Sequence, residues 1–344
     1  MKRLQSKSAQ HSFEVVHKLI NLSLHSTLPV RLLARMTNKL AWPLSKWLGV
    51  DRLVSATVYG RSLIMPAEHP LPATVMEFPQ YNRPLGLAVG AILASDTGNP
   101  VLSVVDVGAN IGETIAIIED HCPGKSLYLC LEADKDLAEL CELNHAGNDR
   151  VQVKQCYIGE EEGARVRLED DGRANPSTKR VTEDHGNASG YGRLIRLDTI
   201  AMGFAESNNA ISLIKVDTEG YDFSVLRSAP DILKRYKPAI YFEWFPKLLL
   251  DLHEEPWSGF EYLATFGYRY FVFFTGYGDY YCKISDPDTI LLRSLSSVAL
   301  TSKSDFYFDV FASTQEEVCD ELVKASIKAL EAQPSKNVRS RRLI

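Results

Sequence analysis

The chain has 344 residues, of which 45% are hydrophobic and 24% charged, and a net charge of −6. This composition excludes disordered, collagenous and low-complexity chains, and the length suits one catalytic domain with extensions. The charge is uneven: residues 1–52 hold nine Lys/Arg against Glu14 and Asp51, net +7, which leaves 29 basic and 42 acidic side chains beyond them, net −13. So acidic a body is a poor general polyanion binder, which disfavours nucleic acid as substrate.

Between residues 11 and 48, apolar side chains recur at helical spacing (Val15, Leu19, Leu22, then Leu32, Leu33, Met36, Leu40), with breaks at Pro29 and Pro43. The pattern predicts a basic, amphipathic helical extension over 1–52. Such helices pack on a catalytic domain, or lie on an acidic membrane surface or partner as a peripheral contact. The longest apolar run, 85–94, is about half of the ~20 residues a spanning helix needs, and no cleavable secretory signal is visible. Six cysteines without a C-x-x-C pair, several inside apolar runs, read as reduced thiols in a cytoplasmic protein.

Residues 53–100 read as a connecting or lid segment: a β-branched, Pro-containing hairpin or irregular lid over 54–77, then a helix over 84–94. After Pro100, short apolar strands alternate with helical stretches, the signature of parallel βαβ units. Strands are expected at 101–107, 126–132, 151–158, 211–216, 239–243, 268–274 and 306–311, giving an α/β fold with a seven-stranded, mostly parallel, doubly wound sheet over 101–312. The polar, Gly-rich stretch 160–192 is too long for an ordinary connection and reads as a loop, hairpin or lid. Residues 313–344 read as a closing helix over 315–332 and a basic tail.

The strongest local signal is Val104-Val105-Asp106-Val107-Gly108-Ala109-Asn110-Ile111-Gly112-Glu113-Thr114, an apolar strand running through a small-residue turn into a helix. Gly108 and Gly112 permit positive φ and close backbone approach, and the helix start offers free N–H groups to an anionic group. The turn reads G-x-N-x-G, not G-x-G-x-x-G, and Asp106 stands at the strand end, where an acid repels phosphate. It suits a zwitterionic sulfonium ligand, whose ammonium group it can approach directly or through water. The second strand ends in Leu131-Glu132-Ala133-Asp134, placing Glu132 where an acid accepts hydrogen bonds from ribose hydroxyls. Cofactor binding is therefore expected at Asp106, Gly108, Asn110, Gly112 and Glu132.

A second motif, Ile214-Lys215-Val216-Asp217-Thr218-Glu219-Gly220-Tyr221-Asp222, puts charges at the end of the fourth strand. In an open α/β sheet the carboxyl ends of the strands line the ligand crevice, so Asp217 and Glu219 should face the reacting groups. The plain alternative is a helix-capping acid partnered by Lys215.

Taken together, Asp106-Val-Gly-Ala-Asn-Ile-Gly112, Leu197-Asp198, Lys215-Val-Asp-Thr-Glu-Gly220 with Val225-Leu226, and Glu243 resemble the FkbM-type methyltransferase family over about 101–245. The resemblance implies a Rossmann-like class I methyltransferase fold, S-adenosylmethionine as donor, and O-methylation of a sugar, glycan or polyketide-derived hydroxyl. Thr218 and Tyr221-Asp222 depart from the family pattern, which often has an aliphatic residue at the first position and a small residue with Glu at the second. Methyl transfer needs in-line positioning and a base for the hydroxyl proton. Asp217, Glu219 and Glu243 are the catalytic candidates, with His185 and His145 as weaker ones. The three acids could instead gather a Mg²⁺ through oxygen ligands, although no spacing demands it. The aromatic stretch 268–281 could stack on a sugar but reads more simply as sheet core. The rival readings are a nicotinamide-dependent oxidoreductase, whose phosphate turn is missing, and a noncatalytic binding protein, which would make the strand-four charges incidental.

Overall fold

The computed structural model describes residues 53–66, 69–95, 101–169, 177–180, 191–208, 210–302 and 306–332. The basic helices expected over 1–52, His185 and the basic tail lie outside the described residues. The chain opens with a hairpin of β1 (Leu53–Val58) and β2 (Arg61–Pro66), followed by α1 (Leu71–Glu77) and α2 (Arg83–Ser95). Then come β3 (Leu102–Val107), α3 (Glu113–His121), β4 (Ser126–Glu132), α4 (Lys135–Asn144), β5 (Val151–Gln155) and β6 (Tyr157–Ile158). A small sheet adds β7 (Arg165–Glu169), β8 (Ser177–Arg180) and β9 (Tyr191–Ile195), before α5 (Leu197–Ser207) and β10 (Leu213–Val216). The remainder is α6 (Asp222–Arg227), α7 (Pro230–Tyr236), β11 (Ala239–Trp244), α8 (Pro246–Asp251), α9 (Ser258–Thr265), β12 (Tyr270–Thr275), β13 (Tyr280–Ser285), α10 (Thr289–Thr301), β14 (Phe308–Ser313) and α11 (Glu316–Glu331).

The main sheet has the order β13-β12-β14-β11-β10-β3-β4-β5. Strands β5, β4, β3, β10 and β11 are mutually parallel, while β14 runs antiparallel to both β11 and β12. The doubly wound, mostly parallel sheet expected from the sequence is present. It has eight strands because the aromatic run at 268–274 continues into a hairpin, and β13 pairs antiparallel with β12 at the edge. The expected strand 151–158 divides at Cys156: β5 stays beside β4, whereas β6 leaves to pair with β9 in the order β6-β9-β7-β8.

Central parallel strands are covered on both faces, which is why β3 (LSVVDV) is buried at every position. On one face Phe223, Leu226, Phe242, Trp244, Phe260 and Leu292 form a core under α6, α9 and α10; on the other, Val89, Ile115, Ile118, Val318 and Leu322 bring α2, α3 and α11 together. Trp244 is fully buried among aromatic rings, and its indole N–H donates to the Pro256 carbonyl at 2.6 Å. The buried Tyr268, Phe271, Phe273 and Phe274 serve as sheet core. The hairpin and α1 pack through Val58, Leu63, Met65 and Leu71 against Ile111, Leu137 and Leu140, beside the turn that follows β3. Among the described residues, no helix is long and apolar enough to cross a membrane.

Candidate active site

The chain winds outward from β3 to β5 and then returns to the other side of β3 as β10. This reversal opens a crevice outside the carboxyl ends of the two strands, where ligands bind in open α/β sheets. A cavity of about 250 Å³ lies there, reached by the ends of β3, β4, β10 and β11 and by the start of the reversed β14.

The turn after β3 is built by its glycines. Gly108 has φ +80° and Gly112, the N-cap of α3, has φ +84°, a region where an L side chain costs strain. Asn110 between them sits at φ +50°, which asparagine tolerates better than most residues. The backbone N–H of Asn110 donates to Glu132 Oε2 at 2.7 Å, and that of Asp134 donates to Glu132 Oε1 at 2.8 Å. Glu132 therefore clasps the turn from the end of β4 while lining the cavity. Burial pushes its carboxyl up to about 7, against the pull of these two N–H donors.

Of the five residues expected to bind cofactor, Gly108, Asn110 and Glu132 reach the cavity wall. Asp106 and Gly112 stand behind it. Asp106 is the cross-strand neighbour of Lys215, and the two side chains meet inside the sheet at 3.2 Å. Lys215 also donates to the Gly108 carbonyl at 3.1 Å and lies 3.4 Å from Asp217 Oδ2. Burial works against its charge, but Asp106, Asp217 and Glu113 outweigh it and hold the ammonium well above the ordinary lysine range. Asp106 thus anchors the turn through Lys215 and does not line the ligand space directly. Gly112 packs against the His145 ring, whose Nε2 donates to the Gly112 carbonyl at 2.9 Å. His145 therefore supports the turn from behind.

Asp217, Glu219 and Glu243, the expected catalytic acids, all line the same cavity. Asp217 is largely exposed, with 46% of its side chain accessible, and Glu219 adopts φ +53° just before Gly220. Glu243 faces Asp309 across the antiparallel pair β11–β14, and Glu243 Oε2 is buried without a hydrogen-bond partner. Burial, then repulsion from Asp217, Glu219 and Asp222, pushes the Glu243 carboxyl well above the ordinary range. Asp309 is pushed up to about 8 by burial and by Asp217, with Lys215 opposing. Glu113, at the start of α3, is likewise raised to about 8 by burial, although Lys215 lowers it. Among the described residues no group of three or more His, Cys, Asp or Glu is placed to hold a metal ion. The Mg²⁺ alternative therefore finds no support among them.

Two motif residues have structural parts. Asp198 accepts from the backbone N–H groups of Asp231 and Ile232, both at 3.0 Å, and so ties α5 to the start of α7. Asp222 accepts from the Thr218 hydroxyl at 3.2 Å and bends the loop after β10. Sequence reasoning missed His69, Tyr81, Glu113, Tyr307 and Asp309, all on the cavity wall. For Asp309 a signal existed: a lone acid inside the apolar run 306–311. For His69 there was none, since only folding brings 69–82 over the turn.

The strand order, the reversed β14, the glycine turn and the acid closing β4 define a Rossmann-like methyltransferase fold. Residues 106–270 match the family model described as Methyltransferase FkbM domain, the family that the sequence motifs resemble. A crystal structure of methyltransferase FkbM from Methylobacillus flagellatus KT is similar at 15% identity and TM-score 0.37, covering 88% of this chain and 58% of that one. The chain thus spans under two thirds of that relative's length. Precorrin-6y C5,15-methyltransferase from Geobacter metallireducens GS-15 matches at 9% identity and TM-score 0.34, over 67% of this chain and 87% of that one. A SAM dependent methyltransferase from Aquifex aeolicus matches at 13% identity and TM-score 0.32, over 69% and 95% respectively. No curated protein matches the sequence.

The residues present fit S-adenosylmethionine, the donor implied by the fold family. Gly108 and Asn110 bring the turn after β3 to the cavity wall, and the Glu132 carboxylate borders the cavity where ribose hydroxyls are bound in Rossmann-type sites.

Proposed function

We propose that this protein is an S-adenosylmethionine-dependent O-methyltransferase acting on a neutral hydroxyl of a sugar, glycan or secondary-metabolite acceptor. One observation carries the acceptor class: six carboxyl side chains (Glu113, Glu132, Asp217, Glu219, Glu243, Asp309) line the cleft, with no Lys or Arg among the described lining residues. Such a wall offers no cation to hold a phosphate, which disfavours phosphorylated acceptors and nucleic acid, and it accommodates neutral hydroxyls. The donor, when bound, supplies a methyl group on a positively charged sulfur.

The protein's own groups do the rest. Gly108, Asn110 and Glu132 hold the donor end. Asp217, Glu219 and Glu243, joined by Asp309, are the groups that can take the hydroxyl proton. A carboxyl raised to about 8, as Asp309 is, holds a proton far better than an ordinary carboxylate and is matched to a general base working near neutrality. Its raised value also means that activity should climb as pH rises toward that value. The cysteines support a reducing, cytoplasmic setting, since all six are unpaired.

The test is calorimetric titration with S-adenosylmethionine and S-adenosylhomocysteine, with NAD and NADP as controls, followed by S-adenosylhomocysteine release from neutral and phosphorylated sugars. Binding of the sulfur pair alone, and turnover with neutral acceptors only, is expected. Dinucleotide binding would reinstate the oxidoreductase, and preference for phosphorylated acceptors would remove the acceptor class.

A further inference from the structure

We infer that His69, which lies before the matched stretch 106–270, is a positioning residue of the cofactor turn. Its ring fixes the side chain of Asn110 and, through it, the clasp of Asn110 on Glu132.

His69 is buried to 6% exposure and borders the cavity. Its Nδ1 receives the backbone N–H of Leu71 at 3.3 Å, and its Nε2 lies 3.2 Å from Asn110 Oδ1. An amide N–H can only donate, so Nδ1 is the unprotonated nitrogen. The single ring proton of neutral imidazole then sits on Nε2 and donates to Asn110 Oδ1. Burial favours this neutral form by lowering the ring's pKa. The ring therefore links the backbone at the start of α1 to a residue at φ +50° whose own N–H grips Glu132 at 2.7 Å.

A second tie keeps the hairpin in register with the turn. Asn144 accepts from the Ile64 N–H at 2.7 Å and donates its side-chain amide to the carbonyls of Ile64 and Ile111, at 2.9 and 3.0 Å. The hairpin cannot shift along α4 without breaking this bridge, so His69 is delivered to Asn110 in one position. The segment ahead of the family domain thus completes the domain's ligand turn.

The inference rests on the donor reading above, and the experiment separates the two. The full chain is titrated calorimetrically with S-adenosylhomocysteine as wild type, His69→Asn, His69→Gln, Asn110→Ala and the His69→Asn/Asn110→Ala double variant. Each variant is also unfolded in urea. The amide of Asn can replace Nδ1 and that of Gln can replace Nε2, so each variant drops one of the two hydrogen bonds and should lose similar stability. His69→Asn is expected to weaken binding about tenfold and His69→Gln by less than about twofold. The double variant should bind no worse than Asn110→Ala alone, since coupled residues do not add. Wild-type affinity in His69→Asn, equal weakening in both His69 variants, or additive losses overturn the role of His69 while leaving the donor reading intact. No binding by wild type overturns both. If His69→Asn does not fold, ¹⁵N-histidine spectra of the wild type decide: an Nε2–H tautomer is expected, and an Nδ1–H tautomer overturns the inference.

Discussion

A Cβ atom placed on Gly108 would lie 1.9 Å from the carbonyl oxygen of Asp217. The ends of β3 and β10 therefore cross at a distance only glycine allows, and the same residue is held at φ +80°. Gly108→Ala should lose about 3 kcal/mol of stability, from left-handed strain plus overpacking against backbone that cannot yield. Urea midpoints would show the loss; a variant as stable as wild type means that the two strand ends are farther apart than described.

The Lys215–Asp106 pair is buried, with side-chain exposures of 9% and 0%. Removing one partner leaves the other as an uncompensated buried charge, typically worth 3–5 kcal/mol, roughly. Lys215→Met should be destabilised on that scale, and adding Asp106→Asn should recover part of the loss. A double-mutant cycle with no coupling energy would show that the pair does not hold the turn.

Glu132 accepts two backbone N–H groups, so its removal affects more than a ligand contact. Glu132→Ala should weaken S-adenosylhomocysteine binding and cost about 1–3 kcal/mol per N–H left unpaired. Glu132→Gln keeps one strong acceptor and should lose affinity with the smaller stability cost. Calorimetry and urea titration of both variants separate the two parts.

The raised carboxyl of Asp309 makes stability depend on pH with a definite sign. Its folded value of about 8 lies above the ordinary aspartate value of about 4. The folded state therefore binds the extra proton, and this contribution is full below about pH 4 and lost as pH rises through about 8. Asp309→Asn, neutral throughout, should gain on wild type by about 4 kcal/mol between pH 5 and pH 9. Urea midpoints across that range are the measurement, and parallel profiles would show Asp309 ionised throughout.

Much of the glycine-turn end of the cavity was legible in the sequence because its signals are local. A glycine turn must follow a strand for its N–H groups to point at a ligand, and an acid closing the next strand falls beside it by the geometry of βαβ units. Gly108, Asn110 and Glu132 were readable for that reason. Asp106 was misplaced because its partner, Lys215, is distant in sequence, and only strand register sets the two side by side. Asp309 was passed over because its position depends on strand direction: β14 runs backwards, so its first residues reach the end where the parallel strands finish.

The sequence by itself determined the alternation of strands and helices, the glycine turn after β3, the acid that ends β4 and the charged end of β10, since each follows from residue types a few positions apart. Only the tertiary structure decided which side chains share the cavity. That depends on the order in which strands pair, on the reversal of β14 and on the docking of the hairpin, which carries His69 onto Asn110. Those contacts join residues dozens of positions apart through burial and hydrogen bonding, which no local pattern encodes.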